Sequence, residues 1–533
     1  MSIQNGSTKL VVLALGLAFV VAAVLGLGVS GLLLNIHDRQ VEARQYPLML
    51  NKVSDDNVDP EEWGKNFPLQ YDSYKAMVET DKATLFGGNL PYSKLIRYPQ
   101  LTSLWAGYPF SADFNEDRGH YYTQIDQMET MRVNKEWLNS HGFPKFTGQP
   151  AACMNCHSGW TPKLIRDMGW EKFNSTPYME VAAKLKQEHG DGVHGAQLGG
   201  TCADCHSPKD MSLRVTRPAY INAMVERGYK ADPEHGIEAT RREMRSHVCQ
   251  QCHVEYYFYP NNKVLTFPWS KWPKDKPLRI EMIEAYYDEA RAKPDGFKFD
   301  WMHKETGAPM LKMQHPEAEL FSSGVHAQAG VACADCHMPY QRAGALKVTN
   351  HKISSPLLNI NASCQTCHAV PEAELKARVD NIQRSTAASL RESENALLAL
   401  ISDLKRGIAM LKETESFKSK ATPEEQEAWL ASVLGDARDS HRRASMRWDF
   451  ISSENSTGFH SPQEAARVLA QSMDIAREGQ LKLQIALGKL GLELVPATGA
   501  VPLPAAGQPI SEHKPPVGAV PPAEIVAGEA LGL

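Results

Sequence analysis

The chain has no basic excess, no stray cysteine and no evident cleavage site behind its apolar N-terminus. Its 57 lysine and arginine residues are outnumbered by 62 acidic ones, for a net charge of −5. That balance excludes a general nucleic-acid binder, which presents a basic face to phosphate. The apolar run from Leu10 to Leu34 is not followed directly by a small-x-small site, whereas a removable signal has an apolar core of roughly 7 to 15 residues and such a site. These 25 residues would extend about 37 Å as a helix at ~1.5 Å per residue, enough for a hydrocarbon core of roughly 30 Å. We therefore read residues 1–40 as an uncleaved membrane anchor, in preference to a signal peptide whose removal would leave a soluble protein. Residues 493–533, rich in proline, alanine and glycine from Pro496 onward, have too little apolar surface to fold and are read as a disordered tail.

No cysteine is left over because all ten fall into five copies of one pattern: Cys153-Met-Asn-Cys156-His157, Cys202-Ala-Asp-Cys205-His206, Cys249-Gln-Gln-Cys252-His253, Cys333-Ala-Asp-Cys336-His337 and Cys364-Gln-Thr-Cys367-His368. Two thiols two residues apart can bond the two vinyl groups of a haem, and the next side chain then lies under the iron. A zinc ribbon needs pairs of C-x-x-C, which five copies leave unmatched, and has no use for a histidine after each pair. The reading is five covalently bound haem c groups, with His157, His206, His253, His337 and His368 as proximal ligands. Bacterial haem attachment takes place outside the cytoplasmic membrane, so the body belongs on the periplasmic side.

Five macrocycles tied to about 215 residues must supply much of the core. The predicted fold is therefore mainly α: one compact multihaem domain with few strands over residues 41–370, followed by long helices over 371–492. Pro60-Glu-Glu-Trp63 reads as a helix start with proline in its first turn. Residues 81–152 are rich in aromatics, proline and glycine, and could equally line cofactor pockets or form an ordinary core. The intervals between motifs are 44, 42, 79 and 26 residues; the long third one has room for further chemistry. Ala373–Lys412, Glu424–Trp448 and Pro462–Leu492 carry apolar residues at helical spacing, with His460-Ser461 as the N-cap region of the last. A helix of around 40 residues needs a packing partner, and a homodimer is the economical one.

The local motifs add chemistry. Leu104 to Ser111, Arg118-Gly-His120, Glu129-Thr-Met-Arg132, Cys249 to Phe258, Lys312-Met-Gln-His-Pro316, Gly324-Val-His326, Cys333 to Pro339, Asn350-His-Lys352, and Arg447-Trp-Asp449 followed by His460 together resemble the ammonia-forming cytochrome c nitrite reductases. The resemblance spans roughly Leu104 to Leu492. It implies that Arg132, Tyr256 and His315 surround an open catalytic haem. It also implies a calcium ion held by Glu255, the carbonyls of Tyr256 and Lys312, and Gln314. Distal ligands would be His351 for the second haem, His120 for the third, His460 for the fourth and His326 for the fifth. Expected partners are nitrite, a second copy of the chain, and a membrane-bound multihaem quinol dehydrogenase as electron donor.

Taken singly, Arg132 would be a solvated charge, Tyr256 a core aromatic, His315 a turn residue and Glu255 a surface carboxylate; only their joint match carries the assignment. The chain departs from most of the family at His157, where lysine is usual and histidine is the minority form. Two other readings stand beside the six-electron reduction of nitrite to ammonia. One is a non-catalytic pentahaem electron carrier, with a histidine capping the first iron; the other is a reductase whose main substrate is hydroxylamine, nitric oxide or sulfite.

Overall fold

The computed structural model describes residues 4–42, 49–146, 148–344 and 346–498. Helix α1, Gln4–Glu42, carries the apolar run, and its span Leu10–His37 is exposed throughout and long enough to cross a membrane. Most of the tail, from residue 499 on, lies outside the described residues.

The body is a mainly helical frame with small two-stranded sheets. Helix α2, Pro60–Gly64, starts where the sequence places it: Asp59 accepts a hydrogen bond from the Glu61 N–H at 2.9 Å, and Pro60 occupies the first turn. Helix α3, Pro218–Glu226, packs on hairpin β1–β2, Lys230–Asp232 with Gly236–Glu238. Helix α4, Arg241–Gln250, opens with a capping box between Thr240 and Glu243 and delivers Cys249 from its last turn. Ribbon β3–β4, Tyr257–Phe258 with Leu265–Thr266, follows the third motif. Then come helix α5, Ile280–Ala292, and ribbon β5–β6, Trp301–Met302 with Pro309–Met310. The hairpin β7–β8, Tyr340–Ala343 with Leu346–Thr349, ends two residues before His351.

Three long helices close the fold: α6, Glu372–Lys412, α7, Pro423–Ser452, and α8, Pro462–Gly488. Two expectations change here. Ser461 stands at the N-cap of α8 but its side chain makes no capping bond, and the helix ends four residues before Leu492. The 41-residue α6 finds its partners in its own chain, packing along both α7 and α8. Its length therefore does not itself call for a second copy. The stripe Leu397, Leu398, Ile401 and Leu404 is buried in a core shared with Leu483 and Leu487 of α8, Trp448 of α7, and Leu101, Leu104 and Trp301 of the body. That shared core seats the C-terminal helices against Met310, two residues before Lys312, and against Phe110.

Candidate active site

All ten motif cysteines and their five histidines line one continuous cavity of about 2190 Å³. Ordinary small-molecule pockets measure roughly 300–1,000 Å³, so this space fits several large groups. The sulfurs form no disulfide. Among the described residues the group of three metal-type ligands that converges is Asp59, Glu61 and His194, at the surface and partly exposed, so the thiols do not gather into a zinc site. The second and fourth motifs share a local device. The aspartates Asp204 and Asp335 each accept the backbone N–H three residues earlier, from Thr201 and Ala332, at 2.8 Å. Each also pairs with an arginine, Arg217 at 2.8 Å and Arg245 at 2.6 Å.

Four histidine pairs face one another across this cavity. Ring centroids are 6.2 Å apart for His206 and His351, 5.7 Å for His253 and His120, 6.4 Å for His337 and His460, and 6.2 Å for His368 and His326. Two imidazoles bound to one metal at roughly 2 Å, the length of an ordinary metal–imidazole bond, leave their centroids about 6 Å apart. Each pair joins a motif histidine to the distal residue that the family pattern implies. At this spacing His157 has no partner ring among the described residues. Its Nδ1 is 3.2 Å from the Thr123 carbonyl, as befits a ligand whose other nitrogen points at a metal.

Arg132, Tyr256 and His315 line the same cavity, close enough to the first motif for charge to be felt between Arg132 and Cys153, between Tyr256 and the cysteine pair, and between His315 and His157. Arg132 sits on a single helical turn, Met131–Val133. Asp113 fixes that turn, accepting from Thr130 Oγ1 at 2.6 Å and Met131 N at 2.8 Å, while its own carbonyl accepts from the Arg132 guanidinium. The guanidinium lies 3.8 Å from the centre of the Phe110 ring, and its Nε has no partner. His315 Nδ1 is likewise buried without a hydrogen bond, with Glu317 Oε1 3.9 Å away. Burial, then the neighbouring His253 and His157, hold its pKa well below the imidazole range. Tyr256 is buried, which pushes its hydroxyl well above 10; the cysteines of the first motif add to that shift. The ring contact of His315 is with His253, at 6.5 Å and 72°.

The residues implied for calcium also converge. Glu255 is fully buried, and burial pushes its carboxyl well above the usual range. Its oxygens accept from Gln314 N at 2.6 Å and Tyr287 Oη at 3.0 Å. The Gln314 side-chain amide is 3.3 Å from the Lys312 carbonyl. A buried carboxylate, an amide and a carbonyl oxygen form a hard-oxygen set suited to calcium, so the residues fit the ion.

Several functional side chains carried no signal of their own in the sequence. Asp449 of α7 receives Lys312 Nζ at 2.9 Å and Met313 N at 2.8 Å, clamping the Lys312–His315 segment. Its triplet was part of the family pattern without a role. Phe110 and Asp113, which hold Arg132, precede it by 22 and 19 residues. Glu319 accepts the Glu255 N–H at 2.9 Å, and burial pushes it up to about 7.

A mainly helical frame built around one cavity, with thiol pairs and ligand-spaced histidines on its wall, defines a multihaem c-type cytochrome. Residues 59–511 match the cytochrome c552 family, and the chain belongs to that family. Cytochrome c-552 of Parabacteroides distasonis is 37% identical over 443 residues, covering 82% of this chain and 78% of that protein. Cytochrome c-552 of Desulfotalea psychrophila is 34% identical over 486 residues, covering 88% and 84%. Among solved structures, the catalytic subunit of cytochrome c nitrite reductase from Desulfovibrio desulfuricans, described with two calcium sites, superposes with a TM-score of 0.69. It is 29% identical and covers 82% of this chain and 89% of that one.

Proposed function

We propose that the protein reduces nitrite to ammonia with six electrons at the haem of the first motif, and that the other four haems, each held by two histidines, relay electrons to it. The observation that carries this reading is an asymmetry. Four motif histidines have a partner imidazole 5.7–6.4 Å away, whereas His157 looks into a pocket of arginine, tyrosine and histidine. A carrier of five closed haems would need a tenth ligand there, and among the described residues no imidazole faces the His157 ring at that spacing.

A haem bound at His157 would supply an iron that takes the nitrogen of nitrite and passes it electrons. Arg132 neutralises the anion and hydrogen-bonds its oxygens. His315, kept neutral by burial, still donates an N–H to an oxygen and can pass on a proton as charge builds up there. Tyr256 offers a hydroxyl from the other side. Glu255, Gln314 and the Tyr256 and Lys312 carbonyls would hold one calcium ion, fixing the Tyr256 and His315 segments relative to each other.

The body works on the periplasmic side, anchored by residues 10–34 and fed by a membrane-bound quinol-oxidising multihaem cytochrome. A homodimer through α8 is supported by Leu481 and Ile485, exposed on one face of that helix. The domain limits follow: anchor to residue 40, pentahaem body to 370, helical region to 492, tail beyond. Turnover of isotopically labelled nitrite with a reduced dye tests the reaction. Labelled ammonium as the product supports it. Turnover of hydroxylamine, nitric oxide or sulfite without nitrite turnover would replace the substrate, and no turnover of any of them would favour the carrier.

A further inference from the structure

Glu454, in the loop between α7 and α8, is a buried carboxylate that among the described residues pairs with no lysine or arginine. Its side chain is 0% exposed and its Oε1 lies 2.5 Å from His460 Nδ1. Among the described residues that is its ion pair. The loop fixes the acid against the ring: Ser456 N donates to Oε1 at 3.1 Å, Ser456 Oγ to Oε2 at 2.8 Å and Gly458 N to Oε2 at 3.4 Å. Ser456 Oγ in turn accepts the His460 N–H at 2.9 Å. The other ligand histidines with a close Nδ1 contact meet backbone carbonyls: Thr123 for His157 at 3.2 Å, Met211 for His206 at 2.8 Å, Ser354 for His337 at 3.1 Å and Thr349 for His351 at 2.9 Å. At His460 a charged oxygen takes the place of the neutral one at 2.5 Å, whereas the carboxylate nearest another ligand ring, Glu317 beside His253 Nδ1, stands back at 3.9 Å.

We propose that Glu454 is a positioning and tuning residue that holds the haem between His337 and His460 at a more negative potential than a neutral partner would. The inference rests on the reading of His460 as that haem's ligand. A carboxylate set against Nδ1 raises the basicity of the ligating nitrogen, and such partners tune the metal. Its negative charge, set in a low-dielectric interior, also favours the more positive metal state. Reduction adds one electron, takes ferric iron to ferrous, makes and breaks no bond, and lowers the net charge beside Glu454 by one. The buried acid opposes that step. Glu317, also buried, is close enough to feel the charge of Glu454 and offers no compensation.

The test is a potentiometric titration of the haem-loaded full chain, followed by electron paramagnetic resonance, in the parent and in Glu454→Gln. The expected result is a positive shift in the midpoint of one low-spin haem, with the other midpoints and the haem count unchanged. An unmoved midpoint with all low-spin signals intact overturns the proposal. Glu454→Asp keeps the charge but draws it back from Nδ1, so a smaller shift of the same haem in the same direction is expected. If the glutamine variant does not assemble, an unmoved midpoint in the aspartate variant overturns the proposal equally. His460→Ala separates the two claims. Conversion of one low-spin haem to high spin supports the ligand assignment, and retention of all low-spin signals removes that assignment and the tuning proposal with it.

Discussion

At the scale of the residue, the site depends on close approaches that leave little room for substitution. A methyl group added at Gly324 would collide with the carbonyl oxygen of His460, so glycine is required there by contact. Gly324→Ala is expected to displace His460 and convert one low-spin haem to high spin, visible in the optical and paramagnetic spectra. Arg132→Gln is expected to lower nitrite turnover by roughly 10²–10³-fold, the loss typical of removing one preorganised donor, with haem content unchanged. The pairing of motif histidines with His120, His326, His351 and His460 was legible because the motifs announce the haems and the family pattern names the distal partners. Asp449 and Glu454 were not legible in role. Asp449 meets Lys312 across 137 residues, and Glu454 acts through a loop whose shape no periodicity encodes.

At the scale of the element, the three long helices were readable from apolar spacing; the structure adds, for α7, a Thr422 cap that accepts from Glu425 N. Where α6 finds its partners was not readable, since a 3.6-residue stripe tells which face is buried but not against what. Leu483, fully buried between α8 and α6, gives a direct test: Leu483→Ala is expected to cost about 2–5 kcal/mol, measured by thermal unfolding.

Helix α5 is tied to α7 by charge. Glu284 accepts from Arg447 at 2.8 and 2.9 Å and pairs with Arg443 at 2.8 Å. Burial pushes the Glu284 carboxyl up, but the two guanidinium groups outweigh burial and hold it below the usual glutamate value. A carboxyl depressed in the folded state contributes stability above its unfolded pKa of about 4.3 and loses it as pH falls through the lower folded value. The unfolding temperature of the parent is therefore expected to drop more steeply below about pH 4.3 than that of Glu284→Gln.

At the scale of the molecule, the cysteine pairs, the apolar helix α1 and the buried oxygen set around Glu255 occupy separate parts. Helix α1 projects an exposed apolar span. The full chain is expected in the membrane fraction with its N-terminus intact, and replacement of residues 1–40 by a cleavable signal is expected to release a soluble protein with the same haem content. A chelator is expected to lower both the unfolding temperature and nitrite turnover of the parent, and to change Glu255→Gln little, since that variant lacks the carboxylate proposed to bind the ion. The overall class was legible because five cysteine pairs dictate one interior. The cavity's continuity, and the way the C-terminal helices return His460 to its wall, follow from packing between distant segments.

The central claim is that one haem, at His157, is open and faces Arg132, Tyr256 and His315. Electron paramagnetic resonance of the oxidised, haem-loaded protein with and without nitrite tests it most directly. One high-spin ferric signal that changes on nitrite addition is expected, beside low-spin signals that do not. Low-spin signals alone, indifferent to nitrite, would contradict it and would make the protein an electron carrier.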